Sequence, residues 1–200
     1  MIRADEDIVR EVLRPYEDAI FKLVHAAWDD WRALFLGGRL LFPGRARACL
    51  VHDFIVQRAI TAWADDNAVR VLRQDETAKF VVNNRVLLRF KKADDRGLGS
   101  NIATQASLNF TDQEQELPGI PDAHKIEIVY VLNRFQTQID RVVVVARDRD
   151  ERLWDYALAP AQTAAIISLP LAPSADMPRG ARIKVRKSAP DTDKKKDNGE

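Results

Sequence analysis

The sequence predicts an α+β fold, with N-terminal helices packed on a mixed, largely antiparallel sheet of five to six strands and a disordered C-terminal tail. Three observations predict it. Apolar residues recur at spacings of three and four from Ile8 to about Ala64, as they do on amphipathic helices. From Val69 onward the apolar period becomes that of strands. Within that part, AKFVVNNRVLLRFKK from Ala78 to Lys92 reads as two short β runs around an Asn-Asn pair. At 200 residues and 46% hydrophobic the chain can build one core of useful size. We expect a helical segment over 1–44, an α+β core over 45–175 and a charged tail over 176–200.

The first helical stretch runs from Ile8 to Phe35 through Val12, Ile20, Leu23, Val24, Ala27, Trp28 and Trp31. Pro15 divides it and is expected to open a second helix, since proline suits the first helical turn. Gly37-Gly38 ends this stretch, and Pro43-Gly44 precedes a further helix from about Arg45 to Ala64. Strands are expected at Val69–Arg73, Lys79–Val82, Arg85–Lys91, Lys125–Leu132, Ile139–Ala146 and Leu153–Leu158, with a helix at Asn101–Phe110 between the third and fourth. Ala161–Leu171 fits a last short helix or strand. Pro170, Pro173, Pro178 and Pro190 with the ending DTDKKKDNGE describe a chain that buries little.

Asn83-Asn84 is expected to form the hairpin turn, because asparagine tolerates the left-handed backbone that a two-residue turn needs. With alternating side chains, Arg85, Leu87, Arg89 and Lys91 share one face of the second strand, and Val86, Leu88 and Phe90 share the other. Such a strand can rest on a core and offer cations to an anion, or its charges can pair with carboxylates in solvent.

A formal net charge of +1 excludes affinity for nucleic acid through bulk charge, so an anion site must be a local patch. Arg45 and Arg47 at the start of the third helix and Lys92 after the basic strand extend the set Arg85, Arg89 and Lys91. Together they are the candidate contacts to phosphate, with DNA or RNA as the partner. The single Cys49 lies in an apolar run, as expected of a buried small hydrophobe in the cytoplasm. No run reaches the ~18 apolar residues of a membrane span, so no membrane partner is expected. Zinc spacings and the phosphate-loop signature do not occur. Gly97-Leu98-Gly99 is either a connector, capped by Ser100 or Asn101, or a loop whose amides face a phosphate. His52 falls inside the apolar face of its helix, next to Asp53, and reads as a satisfied core histidine or a ligand. Trp28, Trp31, Phe35 and Phe42 read as core, or as a docking surface for a partner.

Helices, a strand, a hairpin ending in a charged-x-Lys triplet, a helix and further strands resemble the core of the PD-(D/E)xK restriction-endonuclease-like superfamily over roughly Arg45 to Leu132. That resemblance implies a nuclease in which carboxylates hold Mg2+ and a lysine orients the attacking water. Carried onto this chain, it implies catalytic roles for Asp53 (or His52), Glu76 (or Asp75), Lys91 and Gln105. The triplet itself is Arg89-Phe90-Lys91, with an arginine where the family has an acid. Arginine cannot ligate a metal, so no metal ligand is assigned and Mg2+ belongs only to the nuclease version.

The blocks NNRVLLRFKKAD, GSNIATQ and LPGIP, within Val51 to Leu158, are also similar to a group of bacterial and prophage proteins. Those proteins are encoded beside helix-turn-helix regulators that carry a zinc-peptidase-like domain. This similarity implies the toxin-like effector of a two-gene prophage or phage-defence module, with the helix-turn-helix protein as its partner. Two expectations follow: a nucleic-acid-directed effector using the basic hairpin strand, or a non-enzymatic module that binds the regulatory protein.

Overall fold

A computed structural model describes residues 3–35, 44–74, 77–100, 104–116, 120 and 122–160. The expected tail over 176–200 and the segment Ala161–Leu171 therefore lie outside the described residues. Three helices lead: α1 (Glu6–Leu13), α2 (Glu17–Phe35) and α3 (Gly44–Ala62). Strands β1 (Val69–Gln74), β2 (Thr77–Val82) and β3 (Val86–Lys92) follow, then α4 (Gln105–Thr111) and strands β4 (His124–Leu132), β5 (Ile139–Asp148) and β6 (Glu151–Leu158). The expected α+β class is the one observed: four described helices and a six-stranded sheet in the order β1-β2-β3-β4-β5-β6.

Local chemistry accounts for the element ends. Asp5 caps α1 by accepting from the Ile8 amide at 3.0 Å, with Glu6 and Asp7 at the positive end of the helix dipole. Pro15 does not open α2 as expected. It sits in the turn Arg14–Tyr16, where the Tyr16 amide bonds Leu13 O at 2.7 Å, and α2 begins at Glu17. The cap of α4 is Thr104, accepting from the Ser107 amide at 3.2 Å, rather than Ser100 or Asn101. At the hairpin, Asn83 and Asn84 take φ of 51° and 53°, the paired left-handed conformation expected of this turn.

Every neighbouring pair of strands is antiparallel except β3 and β4, which run parallel and are joined through α4. A parallel pair needs a crossover, and α4 supplies it. Alternation then divides the sheet into two faces. On one, Phe80, Val82, Leu88, Phe90, Ile126, Ile128, Val142 and Val144 pack under the N-terminal helices through Val12, Leu13, Val24, Trp28, Val51 and Ile55. On the other, Val81 and Leu87 pack against Phe110 of α4, and Val129, Val143 and Val145 pack against Leu98 of the segment after β3.

Both faces of β3 are thus covered. Val86, Leu87, Leu88, Arg89 and Phe90 are all buried, which corrects the expectation of a strand with one solvated cationic face. The sequence alternation was real, but α4 and the segment before it lie over the charged side. Trp28 is buried at 3% exposure and Trp31 is half-buried, as expected of core; Phe42 and the Phe35 side chain lie outside the described residues. Cys49 is exposed, against expectation. Among the described residues, no helix is long and apolar enough to cross a membrane.

Candidate functional site

The six cations expected on phosphate separate into three places. Arg89 is in the interior. Its Cα pairs with that of Glu127 across the parallel ladder, and the two side chains are 3% and 1% exposed. Arg89 donates to Glu127 Oε1 from Nε at 3.0 Å and from an Nη at 2.6 Å. The Gly99 amide donates to the other oxygen at 3.1 Å, and Arg147 lies 3.7 Å from it. Arg147 also donates to Gly99 O at 3.2 Å, and the Arg89 guanidinium stacks 4.0 Å from the centre of the Phe110 ring. A Cβ at Gly99 would collide with the Glu127 carboxylate, so glycine is required there. The glycine loop therefore offers its Gly99 amide to a carboxylate of the protein, not to a phosphate.

This cluster explains the departure from the metal-binding triplet. Arginine stands at position 89 because the acid it balances is on the adjacent strand. Burial pushes the Arg89 guanidinium down from its usual range, and Glu127 opposes that shift. Lys91, two residues on and half-buried, is pushed down by burial and then by the Arg89 charge, with Glu127 opposing. Lys125 on the same face donates to the carbonyls of Asn109, Asp112 and Gln115, tying α4 and the turn after it to the sheet. Gln113 completes that seam by donating to Arg147 O at 2.7 Å and Lys125 O at 3.2 Å.

Of the residues implied as catalytic, Asp53 and Gln105 lie on opposite faces of the sheet. Asp53 is exposed on α3, on the helical side of the sheet, and its nearest polar partner is His52 Nδ1 at 3.5 Å. Gln105 is exposed on α4, across the sheet, and donates to Asn109 Oδ1 at 2.6 Å. Lys91 lies beside Arg89, and Glu76 and Asp75 lie outside the described residues. His52 is pushed down by burial, with Asp53 opposing and the Lys91 and Arg89 charges adding to the shift, but its buried Nε2 has no hydrogen-bond partner among the described residues, unlike a satisfied core histidine. Mg2+ needs several oxygen ligands converging on one point. Among the described residues no three His, Cys, Asp or Glu side chains converge, and Glu127 is already shared by two arginines and an amide.

Arg85 stands at the opposite end of β3 from Lys92, roughly 20 Å away by the rise of a strand, and faces Glu11 at 3.6 Å. Of the remaining three cations, Lys92 and Arg47 lie near one another at the carboxyl ends of β3 and β4. Lys92 is the Cα partner of Tyr130, and three residues past Tyr130 the chain enters the β4–β5 turn. Arg47, in the first turns of α3, donates to Gln136 O of that turn at 3.1 Å and also to Gln136 Oε1. Lys92 is pushed down by burial and next by the nearby Arg47 charge, with Asp95 opposing. Arg47 is held by neutral acceptors, with the Trp28 and Trp31 rings 5.8 and 5.6 Å from its guanidinium, and makes no ion pair among the described residues. Arg45, two residues earlier, is exposed on another side of the same helix start. The dipole of α3 adds positive potential at this end, and its first turn carries no acid.

The turn contributes residues that sequence reasoning missed. Arg134 is exposed with no ion pair among the described residues, and Phe135 is 79% exposed. Their signal was the run NRFQTQ, a break between strands where a cation adjoins an aromatic. Glu127 and Arg147 were missed as well, although a glutamate inside the apolar run KIEIVYVL marks a buried charge that needs partners. Comparison with protein-family models, curated proteins and solved structures finds no match.

Proposed function

We propose that the chain binds the phosphate backbone of DNA or RNA at the carboxyl ends of β3 and β4, with Arg47, Lys92 and Arg134 as contacts and Arg45 beside them. The observation that supports this most is the fixed position of Arg47, which neutral acceptors hold near Lys92 and next to the exposed turn. Like charges held close together in a folded protein repel one another, and an anion relieves that repulsion. The carboxyl ends of parallel strands are also where open sheets place ligand sites. Arg89 and Lys91 support the site from within the sheet, and Arg85 stands apart from it.

A role as effector in a two-gene module with a helix-turn-helix regulator is part of the same proposal and rests on the resemblance of the three sequence blocks alone. An exposed patch around Trp28, Trp31 and Phe35 would favour the protein-interaction reading; Trp28 is buried and Trp31 half-buried. Gel shifts at low salt with single- and double-stranded DNA and RNA test the proposal. Wild type is expected to shift at least one of them, Arg47→Ala/Lys92→Ala to shift it weakly, and Arg85→Ala to behave as wild type. No shift by the wild type with any nucleic acid would refute it.

A further inference from the structure

Resting on the phosphate-binding reading above, we infer that the ligand is a single strand, with an unpaired base stacked on Phe135. Phe135 is the most exposed of the large hydrophobic residues described, at 79%. It is not on a loose tip. Asn133 Oδ1 accepts from the Thr137 amide at 2.9 Å, Asn133 Nδ2 donates to Thr137 Oγ1 at 3.0 Å, and the Gln136 amide donates to Asn133 O at 2.8 Å. Gln136 takes a φ of 54°, and Arg47 clamps it from α3 at both its backbone and side-chain oxygens. Two elements therefore hold one aromatic ring in solvent, within a turn that begins with a cation at Arg134.

That combination matches the recognition of unstacked bases, in which cations follow the backbone and an aromatic ring takes a base face. A duplex hides its base faces in the stack and presents only edges and phosphates, so a lone ring on a hairpin tip has little to gain from it. Stacking is tolerant of sequence and adds to affinity without changing the number of phosphates neutralised. The ring and the cations should therefore be separable by experiment.

Fluorescence anisotropy with labelled single-stranded oligo-dT and oligo-U of about 12 nucleotides, a length that fills a typical single-strand site, tests this against a duplex of equal length. The full chain is compared with Phe135→Ala, Phe135→Trp and Arg47→Ala. We expect Phe135→Ala to weaken single-strand binding roughly ten- to hundred-fold with an unchanged salt slope, and Phe135→Trp to restore it. Arg47→Ala should instead reduce the slope. Single-strand affinity unchanged in Phe135→Ala, or a duplex held more tightly than either single strand, overturns the stacking inference while leaving phosphate binding intact. Failure of the wild type to bind any of the three overturns both.

Discussion

Replacing Glu127 by glutamine keeps the volume and removes one negative charge from a place where its neighbours are cations and an amide. Arg89 donates twice to Oε1, Gly99 donates to Oε2, and Arg147 lies 3.7 Å away, so glutamine's NH2 must face a donor whichever way it turns. The carboxylate is 1% exposed, so water cannot take over these roles. Breaking a buried pair from one side costs about 3–5 kcal/mol, against total stabilities of about 5–15 kcal/mol. For a folded unit of this size, that corresponds to a fall of roughly 6–20 °C in Tm. Urea unfolding followed by far-UV circular dichroism measures it. The triple change Arg89→Met/Glu127→Leu/Arg147→Met removes all three charges and should cost less than Glu127→Gln alone, because it strands none of them. A Glu127→Gln protein within about 1 kcal/mol of wild type would refute the reasoning, since cations this deeply buried cannot lose their counter-charge so cheaply.

Acid should weaken the fold through its histidines. Burial holds the folded-state values of His52 and His25 below the ordinary histidine value of about 6.5, so their contribution is complete above about pH 6.5 and is lost as pH falls below it. Urea midpoints should therefore be lower at pH 5.5 than at pH 7.5, with a smaller difference in His52→Gln; equal wild-type midpoints would contradict this. Asp30 and Asp112, held down chiefly by hydrogen bonds from Arg58 and Arg149, lose their contribution only below about pH 3.8, outside that window. Lys91 is half-buried beside Arg89, so Lys91→Met should leave stability unchanged or raise it by roughly 1 kcal/mol, and a loss of more than that would show a missed partner. At the hairpin, Asn84→Ala should cost about 1 kcal/mol and Asn84→Gly should not, because φ there is 53°.

Much of the fold was readable because periodicity and turn chemistry are local. The Asn83-Asn84 turn, the change of period at Val69 and the strands around it follow from residues adjacent in sequence. What lies over each face of a strand is not local. The alternation of Arg85, Arg89 and Lys91 could not reveal that α4 and Leu98 cover their side of the sheet, nor that Glu127, paired with Arg89 only through a parallel crossover, would claim Arg89. Cys49 failed for a related reason, since an apolar run on a helix does not say which side meets the sheet. Of the expected site, Arg47 and Lys92 come together because a helix start and a strand end meet in space, and the turn bearing Arg134 and Phe135 joins them through Gln136. Asp53 and Gln105 stay apart because α3 and α4 lie on opposite faces.

The claim that the carboxyl end of the sheet binds phosphate is tested most directly by the salt dependence of oligonucleotide affinity, compared between wild type and Arg47→Ala/Lys92→Ala. Each phosphate contact contributes a slope of about 0.7 in log Kd against log salt for single strands, so removing two cations should lower the slope by about 1.4. Arg85→Ala, at the far end of β3, should leave it unchanged. A slope that the double variant does not alter, or one that falls as much with Arg85→Ala, would contradict the assignment of the site.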